Sequence, residues 1–159
     1  GLFTIPIARR CGRITAIELS PDMAVILKEK AARENITSIE CLTGDIESLA
    51  IEGAYDAICS FSALEYIADP AALFARLSPL LKPGGVLYIT TARRSLFRFF
   101  TQVGNAMRQG IWLRARTARS MKKALLTAEL SPVRIAGHVM KCGPFGGILL
   151  EIMAEKPLH

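Results

Sequence analysis

The stretch Arg13-Ile14-Thr15-Ala16-Ile17-Glu18-Leu19-Ser20-Pro21-Asp22-Met23 joins a strand to a helix within a few residues, and its reading decides the fold. Residues 13–19 are too continuously apolar for a sheet wetted on one face, which predicts a strand covered on both sides. Ser20-Pro21-Asp22 then predicts a helix start. The serine hydroxyl can accept from the first free amides, proline suits the first helical position, and the aspartate faces the positive end of the helix dipole. An apolar stripe of Met23, Ile26, Leu27, Ala31 and Ala32 carries that helix to about Glu34.

The same alternation extends outward. Residues 3–11 carry a helical pattern that Gly12 can end. Residues 36–42 read as a second strand, broken by Thr43-Gly44-Asp45, with a short helix or turn over 46–49. A third strand covers 55–61, Asp69-Pro70 opens a helix over 71–81, and 86–91 form a fourth strand. Between those last two, Lys82-Pro83-Gly84-Gly85 predicts a tight turn, because proline stops the helix and glycine accepts a positive φ. Strands separated by helices require right-handed crossovers, so the expectation is a three-layer α/β domain over 1–159 with a mainly parallel sheet. After a helix over 117–129, strands at 133–139 and 148–154 flank the turn residues 142–147. Strands joined so briefly must be antiparallel, which predicts a terminal antiparallel hairpin.

Composition bounds the class. The chain has 159 residues and is 51% hydrophobic, enough for a core without disulfides or metal. No apolar run is long enough for a membrane-spanning helix, and the N-terminal charges follow the apolar residues, the reverse of a signal peptide. The first residue is Gly1 rather than Met, which suggests a sequence beginning inside a longer protein. Cys11, Cys41, Cys59 and Cys142 are scattered without a metal-ligand spacing, so buried free thiols in a cytoplasmic protein are expected, and no metal. The net charge of +6 is concentrated: the 59 residues between Asp69 and Glu129 contain no acid and eleven Lys or Arg. That asymmetry concerns partners rather than fold.

In an open parallel sheet, ligands gather beyond the carboxyl ends of the strands. That rule selects Glu18 to Met23, Asp45-Ile46, Ser60 to Tyr66 and the residues after Thr91. Glu18 closes an apolar strand, where its carboxylate is either solvated or receives both hydroxyls of a ribose. Asp45 either caps Ile46-Glu47 or accepts from an exocyclic amine, and Met23 is either core or a ligand contact.

These segments resemble the class I S-adenosylmethionine-dependent methyltransferases of the methyltransferase-11-like group. Ala16-Ile17-Glu18-Leu19-Ser20-Pro21-Asp22-Met23 is similar to the family's second-strand motif, and Gly44-Asp45 to its adenine-side motif. Residues 55–70, from Tyr55-Asp56-Ala57-Ile58 through Leu64-Glu65-Tyr66 to Asp69-Pro70, resemble its fourth-strand motif, and Leu80 to Leu87 the signature that follows. The pieces cover residues 1 to about 92 in the family's order. The resemblance implies a Rossmann-like fold and S-adenosylmethionine as cofactor. It would place Glu18, with Leu19, at the ribose, Met23 beside the adenine, and Asp45 and the Ile46 amide at the adenine amine. Ser60 and Phe61 would face the methionine part. Gly1 would end a glycine loop whose earlier glycines and acidic residue are absent, so the domain is expected to be N-terminally incomplete. A nicotinamide-dependent dehydrogenase shares the glycine loop and acidic strand end, but not the Gly44-Asp45, 60–66 and 82–86 features.

The sulfonium methyl is already electrophilic, so the resemblance implies an enzyme that aligns it with an acceptor and excludes water. Tyr66, in the segment that often meets substrate in this family, is either an acceptor contact and weak catalytic candidate or a packing residue. Glu65 is the poorer match, and His138 lies inside a strand pattern. The acceptor depends on residues 93–116, a variable cap or lid in which Phe97, Phe100 and Trp112 are interleaved with arginines. That pattern suits a small, apolar or anionic acceptor, with Phe97, Phe100, Trp112 and Tyr66 as substrate-binding residues. It also suits a packed cap or homo-oligomer face, a peripheral membrane surface, or nucleic acid and hence an RNA methyltransferase. A non-catalytic binding or scaffold subunit is the alternative from outside enzymology.

Overall fold

The computed structural model describes residues 1–93, 114–138 and 149–158. It separates into two compact units, Gly1–Ile51 and Glu52–His159.

In the first unit, helix α1 (Thr4–Ala8) precedes strand β1 (Ile14–Glu18), helix α2 (Pro21–Arg33) and strand β2 (Ile39–Thr43). Ser20 caps α2 by accepting the Met23 amide at 3.4 Å, with Pro21 in the first turn and Lys30 and Arg33 in the last. The chain leaves α2 through Asn35 at φ 55°, where a short polar side chain tolerates the left-handed conformation. β1 and β2 pair in parallel, Ile14 opposite Ile39 through Glu18 opposite Thr43. A crossover helix is the expected link between parallel neighbours, and α2 supplies it. Ile5, Leu27 and Ala31 form the small core, with Ala16, Ile36, Ile39 and Cys41 packed on it.

The second unit holds strand β3 (Tyr55–Phe61), helix α3 (Pro70–Leu77), strand β4 (Leu81–Ala92), helix α4 (Ala118–Thr127) and strands β5 (Ser131–His138) and β6 (Leu149–Glu155). Asp69 caps α3 by accepting the Ala71 and Ala72 amides. Thr117 and Ser120 cap α4 reciprocally. The sheet order is β3-β4-β6-β5. Leu87, Ile89 and Thr91 alternate inward along β4, as do Leu150, Ile152 and Ala154 along β6, and all are buried. Helix α4 packs on α3 and on β5.

Several expectations are corrected here. The sheet is not mainly parallel. β6 lies between β4 and β5 and is antiparallel to both, so the four-stranded sheet is mixed, with β3–β4 its one parallel pairing among the described residues. β1 and β2 form a separate two-stranded sheet among the described residues. The tight turn at 82–85 is instead an irregularity within β4. Tyr55 opposes Leu81 while Ala57 opposes Val86, so residues 82–85 bulge out of register with β3. Two glycines make that possible: Gly84 has φ +74°, and a Cβ on Gly85 would sit 2.8 Å from the Lys82 carbonyl oxygen. Helix 71–81 ends at Leu77, and a 3-10 turn over Ser78–Leu80 leads into β4. Finally, Cys11 and Cys59 are exposed and Cys41 is half-buried, so the described cysteines form no disulfide with one another but are not buried.

Candidate functional site

The first unit brings Glu18, Leu19, Met23, Asp45 and Ile46 to the carboxyl end of its sheet. Register places Glu18 opposite Thr43, and the Gly44 amide donates to the Glu18 carbonyl at 3.0 Å. The acidic strand end and the Gly44-Asp45 segment are therefore fastened backbone to backbone. Glu18 is half-buried, and its Oε1 accepts the Ser20 amide at 3.1 Å. Among the described residues no donor reaches Oε2. One oxygen orients the carboxylate and the other stays available, an arrangement that fits a diol.

Asp45 Oδ1 accepts the Glu47 amide at 2.9 Å, so the capping role is real. No described donor occupies Oδ2, which leaves an acceptor for an amine. Leu19 and Met23 are exposed large hydrophobics, Met23 at 44%, and Met23 is therefore not core. Ile46 is half-buried in the turn after Asp45. Gly1 opens the approach to α1, where its carbonyl accepts the Ile5 amide, and it lies against Leu27 and Lys30 of α2.

In the second unit, Ser60 and Phe61 end β3, both half-buried. The Phe61 ring meets Tyr88 with centroids 6.0 Å apart, an edge-tilted contact. Ser62 has φ 52° and donates its amide to the Thr90 carbonyl at 2.9 Å, which turns the chain sharply off the strand. In the turn that follows, Leu64, Glu65 and Ile67 are buried while Tyr66 is 60% exposed. The sequence put Glu65 and Tyr66 in one segment with Tyr66 the better match to an acceptor contact, and the structure turns them to opposite exposures. Glu65 Oε2 accepts the buried Thr91 hydroxyl at 3.0 Å, whereas the Tyr66 ring faces outward.

Sequence reading missed the groups that hold this turn. The Arg114 amide donates to the Glu65 carbonyl at 2.9 Å and its guanidinium to the Tyr66 carbonyl at 3.3 Å. The Arg116 guanidinium donates to the Ile67 carbonyl, and its amide to Ala92 at 2.9 Å. Burial, then the neighbouring Arg114, push the Arg116 guanidinium below its ordinary pKa, against the opposing pull of Asp69 and Glu65. The signal in the sequence was the basic run itself, which does not say which arginines turn inward.

Phe97, Phe100 and Trp112 lie outside the described residues. Of His138, only the backbone, at the end of β5, is described. A shallow depression of about 430 Å³ on α4, lined by Arg119, Lys122, Lys123, Leu126 and Thr127, contains none of the predicted site residues. Among the described residues, no group of His, Cys, Asp or Glu could hold a metal, and no helix is long and apolar enough to cross a membrane.

The profile of the methyltransferase domain family matches residues 1–89. This chain belongs to the class I S-adenosylmethionine-dependent methyltransferases. It is 31% identical over 108 residues to a ubiquinone biosynthesis O-methyltransferase of Xanthomonas campestris, covering 67% of this chain and 45% of that protein. The chain thus spans less than half the length of that curated relative. Its fold is also that of a methyltransferase from Mesorhizobium loti (TM-score 0.78, 18% identity, covering 97% of this chain and 86% of that one). The [4+2]-cyclase SpnF shares it too (TM-score 0.75, 18% identity, covering 98% and 70%). A methyltransferase fold that also serves a cyclase does not by itself fix the reaction. The residues at the strand ends must carry that argument.

Proposed function

We propose that this protein transfers the methyl group of S-adenosylmethionine to a hydroxyl of a small, apolar acceptor. The observation that carries this reading is the fastening of Glu18 to Gly44-Asp45, with Glu18 Oε2 and Asp45 Oδ2 unoccupied among the described residues. Glu18 would take the ribose hydroxyls, Asp45 with the Ile46 amide the adenine amine, and Leu19 and Met23 the apolar flanks of the base. Ser60 and Phe61 would line the methionine portion, and Gly1 would lie in the loop beneath it. The cofactor supplies an electrophilic methyl, and the chain's task is alignment and exclusion of water.

Tyr66 is the proposed acceptor contact. Its ring is exposed on a turn whose neighbouring side chains are buried. Phe97, Phe100 and Trp112 extend that reading on sequence alone, within a cap over 93–116 of a single methyltransferase domain spanning 1–159. The O-methyltransferase name of the curated relatives supports an oxygen acceptor. The hydroxyl must shed its proton, and Glu65, turned inward onto Thr91, is not placed to take it. An aromatic hydroxyl, with a pKa of about 10, loses its proton far more readily than an aliphatic one, which favours a phenol or catechol. A cytoplasmic setting is part of this proposal.

Label transfer from methyl-labelled S-adenosylmethionine tests the reaction, with catechol, phenol and an RNA pool as acceptors. Labelled catechol or phenol is expected, and label on RNA alone would overturn the small-molecule reading. Calorimetry tests the cofactor side. Glu18→Ala should weaken S-adenosylmethionine binding by about tenfold or more, since it removes charge-assisted hydrogen bonds. Unchanged affinity would remove Glu18 from the ribose site.

A further inference from the structure

The turn after β3 presents three successive carbonyls, those of Glu65, Tyr66 and Ile67, and each is taken by one of two arginines. The arrangement is directional. Arg114 and Arg116 close the proposed cap segment in sequence, and the backbone of Arg116 is tied to the end of β4. Its amide donates to Ala92, and Arg93 and Arg116 form an isolated parallel bridge. Within the turn, the Tyr66 and Ile67 amides close onto the Ala63 and Leu64 carbonyls at 3.1 and 3.3 Å. Leu64 and Ile67 anchor it in the core, and Glu65 is fixed to Thr91 beneath it. The carbonyls of Glu65, Tyr66 and Ile67 and the amides of Tyr66 and Ile67 are thereby held, while the Tyr66 side chain is left exposed.

Such an arrangement carries a cost. The Arg116 guanidinium is partly buried, and its buried Nε has no hydrogen-bond partner among the described residues. A buried polar atom left unsatisfied is unfavourable, and the directed bond from Arg116 to the Ile67 carbonyl is made in spite of it. Guanidinium groups differ from apolar ones in setting backbone position through directed donors.

We infer that Arg114 and Arg116 are positioning residues that fix the Tyr66-bearing turn for the methyl acceptor. The inference rests on the reading of Tyr66 as an acceptor contact. The arginines do not touch the reacting atoms. They act by holding the Tyr66 ring in one place, and small displacements of a positioning group are costly to a transfer reaction. Arg116 is the stronger of the two, because its group is less exposed and its tie links the turn to β4.

Two measurements on the full chain test this. The first is amide hydrogen exchange in Arg116→Ala, Arg114→Ala and Arg116→Lys. In Arg116→Ala the Tyr66 and Ile67 amides should lose protection by about tenfold or more, while the β4 and β6 amides keep theirs. Arg114→Ala should show a smaller local loss, and Arg116→Lys, which retains a donor for the Ile67 carbonyl, should recover part of it. Unchanged exchange in the turn, or an equal loss throughout the sheet, would overturn the inference.

The second is steady-state methylation of catechol. Arg116→Ala should raise the KM for catechol by about tenfold, with S-adenosylmethionine affinity unaltered. Parallel loss of both affinities would mark Arg116 as merely structural. Tyr66→Ala separates this inference from the reading beneath it. If Tyr66→Ala leaves the catechol KM unchanged, Tyr66 is not an acceptor contact. If Tyr66→Ala raises that KM while Arg116→Ala does not, the acceptor reading stands and the positioning role falls.

Discussion

The two units are buried to very different depths. In Gly1–Ile51, every residue of β1 is only half-buried, and the core rests on Ile5, Leu27 and Ala31. In Glu52–His159, Phe74, Leu87, Leu125 and Ile152 are fully inaccessible, and four strands share one sheet. A two-stranded sheet is marginal alone, whereas a mixed sheet with packed helices is self-supporting. The proposed cofactor residues Glu18 and Asp45 belong to the lightly buried unit, and the proposed acceptor residue Tyr66 to the deeply buried one. The proposed donor residues thus sit in the less deeply buried part of the described structure.

The largest test of this contrast is Phe74→Ala. Removing a fully buried aromatic should cost about 3–5 kcal/mol, and denaturant unfolding followed by exchange of the β4 and β6 amides would record it. Leu27→Ala should cost less, about 2–3 kcal/mol, because half-exposed surroundings relax more readily around the lost side chain. Its effect should appear in β1 and β2. If either substitution lowered protection equally in both units, the two would unfold together and the contrast would dissolve.

The sequence displayed the elements well and the sheet poorly, for a physical reason. Helix starts such as Ser20-Pro21 and Asp69-Pro70 are local, and their caps form as local chemistry requires. Strand order is not local. Nothing in residues 149–155 announces that β6 will insert between β4 and β5, and that insertion converts a mainly parallel expectation into a mixed sheet. The bulge at 82–85 was visible as Pro83-Gly84-Gly85, but a turn and an irregular strand entry demand the same residues. The candidate site shows the same division. Glu18 and Asp45 stood out because a strand end and a glycine step are readable. The fates of Glu65 and Tyr66, adjacent in sequence and opposite in exposure, depended on Thr91, Arg114 and Arg116, which are remote in sequence.

The smallest effect expected lies on the less covered side of the second unit's sheet, and it sharpens where that unit's deep burial stops. Tyr88 donates to Glu151 at 2.9 Å, and Glu151 also faces Arg134 at 3.8 Å. Burial, then the hydrogen bond and charge of Glu151, raise the Tyr88 phenol above its ordinary 10.0. With the folded value above the unfolded one, the unfolded chain ionises first as pH rises. The contribution of Tyr88 is therefore fully present below pH 10.0 and is lost as pH climbs through the folded value. Tyr88→Phe should leave Glu151 its Arg134 contact and cost about 1 kcal/mol at neutral pH, the worth of one hydrogen bond. The difference between the two proteins should shrink above pH 10, as measured by urea unfolding at stepped pH. No difference at neutral pH would mean that Tyr88 contributes through its ring packing against Phe61 alone, and a difference that stayed constant through that range would remove the raised phenol as its source.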